Sequence, residues 1–191
     1  MLQMLLGAAL MVTTSVLVAG AQEYAVGVQS FLPGIGDLGS VDLISNDPCR
    51  GNGRGLDLSD ALGAPNDKFV SIGDGGTITL SFPNPIEDRP GADVRVWVSC
   101  NVSCEPGDVA ASQDGINFVP LGSLATPFFE EYDLGSAGLP FATLIRVHDV
   151  PSGPCPGLGL AVDVDTVESL HPGSPVSVSR QSWAAVRTLY Q

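Results

Sequence analysis

The chain is short of charge, and of positive charge above all. Only 15% of its 191 residues are Asp, Glu, Lys or Arg, and Lys68 is the single lysine. With 21 acidic against 8 basic residues the formal net charge is −13, so the chain repels a phosphate backbone and no nucleic-acid partner is expected. Only two histidines occur, His148 and His171, and neither has a metal-ligating partner at a useful spacing. G-x-S-x-G is absent, which leaves a serine–histidine nucleophile without support. Gly73-Asp74-Gly75-Gly76 lacks the Lys and Ser/Thr of a phosphate loop and precedes a strand pattern, so it reads as a turn. No C-x-x-C pair is present, which weakens a structural zinc site. After the first residues there is no second long apolar run, so no membrane span is expected in the mature chain.

The one long apolar run lies at the start, from Leu5 to Val18, and is closed by the small-x-small pattern Ala19-Gly20-Ala21. Residues 1–21 therefore read as a cleavable signal peptide, cut after Ala21, and imply a secreted, extracellular or cell-surface location. The n-region carries no Lys or Arg, which makes a signal anchor the rival reading. Against it, a spanning helix takes about 20 apolar residues, whereas this run is interrupted by Thr13, Thr14 and Ser15 and ends in a glycine. Cys49, Cys100, Cys104 and Cys155 form an even set in an exported chain, and two disulfides are expected from three connectivities. Pairing Cys100 with Cys104 and Cys49 with Cys155 is favoured; a loop of about 100 residues closed in this way gains on the order of 4 to 5 kcal/mol. Asn101-Val102-Ser103 is a glycosylation sequon.

What the chain does hold is turn residues and short alternating runs. Its 23 glycines and 15 prolines punctuate strands and are penalised inside helices. Glu23 to Phe31 reads as a strand. In Thr77 to Phe82, Ile78, Leu80 and Phe82 share one face, and Thr77, Thr79 and Ser81 the other. Val94, Val96 and Val98 alternate with Arg95, Trp97 and Ser99. Further strands are expected at Val109 to Ser112, Ile116 to Leu121, Phe141 to Val147 and Leu158 to Glu168. The spacing predicts an all-β antiparallel β-sandwich or barrel over 22–170. Residues 171–191 read as a linker and tail, with Trp183, Val186 and Tyr190 at helical spacing behind a Ser182 N-cap.

Several segments in order resemble bacterial exported cell-surface proteins with a galactose-binding-like (discoidin-like) jelly-roll domain. They are VQSFLPG at 28–34, ALGAPND at 61–67, VSIGDGGTITLSF at 70–82, IED at 86–88, PGADV at 90–94, SQDGINF at 112–118 and VDVDTVE at 162–168. The resemblance implies a jelly-roll β-sandwich. The chain departs from the family's pattern at Ser99-Cys100-Asn101-Val102-Ser103-Cys104, where an acidic-aromatic segment is expected.

The resemblance also implies a structural Ca²⁺ near the first long loop and the last strand. Its ligands would come from Asp57, Asp60 and Asp67 together with Asp163, Asp165 or Glu168, all hard oxygen donors. In a regular strand Asp163 and Asp165 point to one side and Glu168 to the other. The bland alternative is that these acids cap turns. Ligand binding on such jelly rolls uses aromatic faces and polar groups in loops, which singles out Trp97, Phe128, Phe129 and Tyr132 with Arg95 and Asn101. The expected function is a non-catalytic surface or extracellular binding module for carbohydrate. A structural or adhesive envelope component that binds another surface protein is the first alternative. A glycoside hydrolase, which needs two convergent carboxylates, is the second.

Overall fold

The computed structural model describes residues 23–34, 57–99, 105–151 and 161–174. The expected signal peptide, all four cysteines, Asn101 and the expected terminal helix lie outside the described residues. The described residues form two five-stranded antiparallel sheets, which make a β-sandwich. In sheet A the order is β1 (Glu23–Tyr24), β10 (Asp163–Ser169), β5 (Val94–Val98) and β8 (Phe129–Tyr132), with β3 (Val70–Ser71) also paired to β10. In sheet B it is β2 (Gly27–Leu32), β4 (Thr77–Glu87), β9 (Phe141–Asp149), β6 (Gly107–Ser112) and β7 (Val119–Leu124).

The period-two pattern decides which side chains meet between the sheets. Ile78 and Leu80 of β4, Ile145 and Val147 of β9, and Val109 and Ala111 of β6 are buried against Val94 and Val96 of β5 and Val164 and Val167 of β10. Each fully buried Val, Leu or Ile contributes roughly 1.5 to 3 kcal/mol. The alternate residues of the same strands form the outer faces, and those faces hold the candidate sites.

Local chemistry moves several boundaries from where periodicity alone puts them. The run Glu23 to Phe31 is two strands, because the chain crosses between sheets at Ala25-Val26. The Ala25 N–H donates to Val167 O in sheet A and the Val26 N–H to Ser81 O in sheet B, each at 2.9 Å. β4 continues through Pro83 and Pro85 to Glu87; its ladder to β9 skips from Ser81 to Ile86, so the prolines, which have no N–H, fall where none is needed. β7 starts at Val119, not Ile116, because Asp114 holds the preceding turn. Its carboxylate accepts from the N–H groups of Asn117 and Ile116 at 2.8 Å and from Asn117 Nδ2 at 2.7 Å. Those bonds, led by the Asn117 amide, hold the Asp114 carboxyl well below the usual carboxylate range.

Three buried aspartates tie loops to strands. Asp93 accepts from the N–H groups of Arg89 and Leu134, both at 2.9 Å. Asp149 accepts from Gly75 at 2.9 Å and Val162 at 2.8 Å. Asp165 accepts from Asn66 and Asp67 at 3.2 Å. Burial pushes all three carboxyls up, and the backbone donors only partly offset it.

Candidate functional site

The outer face of sheet B carries a groove of about 870 Å³, within the usual range for ligand pockets. Its floor follows from strand register. One row across the sheet is Leu32, Thr77, His148, Asp108 and Ser123; the next is Ser30, Thr79, Arg146, Ala110 and Pro120. Small side chains on the central strands (Thr77, Thr79, Ala110) make the floor low, while Gln29 and Leu32 stand at one margin and Phe118 at the other.

Arg146 is the functional anomaly of this face. Its guanidinium carbon lies 4.1 Å from the Phe118 ring centroid. Stacking occupies the face of a guanidinium and leaves its five N–H donors in the plane, free for a planar acceptor. The other three cations among the described residues are spent on carboxylates: Lys68 on Asp60 at 3.7 Å, Arg89 on Glu87 at 2.7 Å, and Arg95 on Glu131 and Glu168. Arg146 has no such ion pair among the described residues. Asp108 is the only carboxylate among the described residues that line the groove.

Arg95, Trp97 and Phe129 do come together, on the outer face of sheet A. The Trp97 and Phe129 rings lie 5.0 Å apart, centroid to centroid, at 52°. The Arg95 guanidinium carbon sits 4.8 Å from the Phe129 centroid and 5.5 Å from that of Trp97. Phe128, next in the chain, is 66% exposed and has φ +79°, a left-handed conformation that costs a bulky side chain roughly 1 to 3 kcal/mol. The polar groups of this corner are largely engaged with one another. Arg95 Nε donates to Glu131 at 2.9 Å, and Arg95 Nη1 and Trp97 Nε1 donate to Glu168 Oε2 at 3.1 and 3.0 Å.

Two of the expected site residues lie in other surroundings. Tyr132 is a core residue, only 6% exposed, whose phenol donates to Ser123 O at 3.1 Å; it alternates with Glu131, so it faces the opposite side of β8 from the aromatic corner. Glu168, expected among metal ligands, is 1% exposed and belongs to the Arg95–Trp97 corner. The physical reason is a bulge in β10: the register against β5 skips from Val164 to Thr166, so Asp165 is the extra residue and the regular side-to-side count fails. Glu168 Oε1 and Thr166 Oγ1, both buried, find no hydrogen-bond partner among the described residues.

Of the remaining expected metal ligands, Asp67 and Asp165 come together, and Asp57 and Asp60 have local partners. Asp57 caps the 3-10 turn Leu58–Ala61 by accepting from the Ser59 N–H at 3.0 Å and Oγ at 2.7 Å. Asp60 faces Lys68, and Asp165 accepts from the Asn66 and Asp67 amides. Asp163 lies in β10 opposite Ser71. No three of Asp57, Asp60, Asp67, Asp163, Asp165 and Glu168 bring ligand oxygens within 4.8 Å of one another; the described residues that do so are Asp88, Asp93 and Asp133. Two of those three are already engaged with backbone amides, Asp93 as above and Asp133 with Gly135 at 2.8 Å.

The groove residues Arg146 and Phe118 were not singled out by sequence reasoning, and His148 reads there as a structural or surface residue. Their signal is the alternation Leu144, Arg146, His148 against the buried Ile145 and Val147, which places two nitrogen-bearing side chains on one face of a central strand.

The fold and its groove define a two-sheet antiparallel β-sandwich with a concavity of mixed polar and apolar lining on one outer face. No family model matches the chain, and no curated protein does either. Among solved structures, the C-terminal domain of a chitobiase from Bacteroides fragilis is similar at 13% identity and a TM-score of 0.47, over 80% of this chain and 95% of that one. A pectin-binding carbohydrate-binding module is similar at 10% identity and a TM-score of 0.41, over 65% of this chain and 82% of that one. No residue role or ligand is transferred from either.

Proposed function

We propose that this chain is a secreted, non-catalytic carbohydrate-binding module whose ligand lies along the groove on sheet B. The observation that carries the reading is the pairing of an aromatic ring, Phe118, and an uncommitted cation, Arg146, with register-aligned hydroxyl residues at Ser30, Thr77, Thr79 and Ser123. Sugars are bound by that combination of chemistry: polar groups fix hydroxyls, and an apolar ring face covers C–H bonds. The single carboxylate of the groove, Asp108, favours binding over hydrolysis.

Electrophoresis of the native protein through gels containing soluble neutral and acidic polysaccharides tests the reading. At least one polymer should retard the wild type, and Phe118→Ala should migrate freely through it. Free migration of the wild type through every polymer at high loading overturns the proposal.

A second reading, an adhesive surface protein that docks a protein partner, is favoured by one feature, the exposed and strained Phe128 beside Phe129. Exposed aromatic anchors are the residues on which protein interfaces concentrate their energy. Phe128→Ala would then abolish cell-surface adhesion while leaving polysaccharide retardation unchanged.

A further inference from the structure

We infer that the sheet B groove selects a saccharide carrying an anionic group, a carboxylate or a sulfate, and that Arg146 is the residue that reads it. The inference rests on the carbohydrate reading above and specifies its ligand class.

In a chain this acidic, cations are few, and carboxylates are on hand to neutralise those that fold near them. Three of the four described cations are neutralised in that way. Arg146 lies on β9, flanked in the sheet by Thr79 of β4 and Ala110 of β6, neither of which bears charge. It is half-buried at the middle of the groove and fixed over Phe118. A half-buried guanidinium with no counter-charge among the described residues is held at a cost, because its donors have lost part of their water and no described carboxylate replaces it. An incoming planar anion supplies that acceptor in two-pronged geometry, for which the guanidinium fork is preorganised.

The groove's own carboxylate sharpens the inference. Asp108 lies in the adjacent row, between His148 and Ser123, and forms no ion pair with Arg146. It therefore leaves Arg146 open while opposing an anion placed beside it. A neutral sugar gains from Arg146 only hydrogen bonds to its hydroxyls, whereas an acidic sugar ring gains a two-pronged bond to a full negative charge in a partly dry setting.

The test uses matched polymers in affinity gels and in titration calorimetry. Polygalacturonate is compared with its fully methyl-esterified form, and a sulfated galactan with its unsulfated counterpart. Wild-type protein should bind one anionic polymer about tenfold or more tightly than its neutral match, the effect of one charged hydrogen bond; which pair shows it identifies carboxylate or sulfate. Arg146→Gln should remove the discrimination, Arg146→Lys should keep part of it, and Asp108→Asn should strengthen binding to the anionic member alone. That last gain is one that a merely structural role for either residue would not produce, and equal melting temperatures check that the variants fold. Equal affinity for the charged and neutral members of both pairs overturns the anionic inference and leaves carbohydrate binding standing. Failure to bind any of the four polymers overturns the anionic inference, and free migration through every polysaccharide gel overturns carbohydrate binding with it.

Discussion

The guanidinium of Arg146 lies over the ring of Phe118 at a groove margin, its carbon 4.1 Å from the ring centroid. Each residue holds the other in place, so removing either should be felt at the ligand. Phe118→Ala frees the arginine to rotate and removes the only aromatic surface lining the groove among the described residues. Saccharide affinity should fall about tenfold, the equivalent of about 1.4 kcal/mol, as the ring contact is lost and the guanidinium is no longer held in place. Melting temperature should change little, because Phe118 precedes β7 and is not among the core residues.

The opposite sheet gives a stability prediction. Glu168 is 1% exposed and its charge is met by Arg95. Replacing Arg95 by Met strands a buried carboxylate and should cost about 3 to 5 kcal/mol in urea unfolding. The double variant Arg95→Met with Glu168→Gln should recover much of that loss. If the two substitutions were simply additive, the pair would not be coupled as its geometry requires.

The turn Gly73-Asp74-Gly75-Gly76 is held by the Gly76 N–H donating to Gly73 O at 2.8 Å and by Asp149 accepting from Gly75. A Cβ at Gly76 would overlap the Ile72 carbonyl oxygen, and backbone on that side does not yield as a flexible side chain would. Gly76→Ala should therefore be severely destabilising, visible as a large drop in the urea midpoint. Gly63→Ala has open space and meets only the strain of its φ of +83°; it should cost about 1 kcal/mol.

Stability should rise on mild acidification. Asp93, Asp149 and Asp165 have carboxyl pKa values raised in the folded state by burial. The folded state thus binds their protons more tightly than the unfolded chain does. Their contribution is fully present below the unfolded carboxylate pKa and is lost as pH rises through the folded values. Asp114 runs the other way: its folded pKa is lowered, so its contribution is present above the unfolded pKa and lost as pH falls below it. Calorimetric melting from pH 7 downward should show the midpoint climbing and then turning over in the acid range. Asp149→Asn should flatten the climb, and a midpoint that falls steadily from neutrality would contradict the assignment.

Much of this was legible from the chain itself. Thr77 to Phe82 and Val94 to Val98 alternate cleanly, and their inward and outward residues are those the alternation names. The aromatic corner was half legible. Arg95, Trp97 and Phe129 meet, but Tyr132 turns inward because it is in register with buried Val94. Glu168 was misplaced because a bulge resets the side-to-side count, and a bulge at a non-glycine residue leaves no clear mark in the sequence. The groove was harder to read. Its members come from β2, β4, β6, β7 and β9, and only pairing register sets Thr77 beside His148 and Asp108.

The claim that saccharide binds on sheet B is tested most directly by amide chemical-shift mapping with ¹⁵N-labelled protein, titrated with oligogalacturonate and with a neutral galacto-oligosaccharide. Shifts concentrated at Ser30, Thr77, Thr79, Arg146 and His148 are the predicted result. Shifts confined to Trp97, Phe128 and Phe129, or none with either sugar, would contradict it.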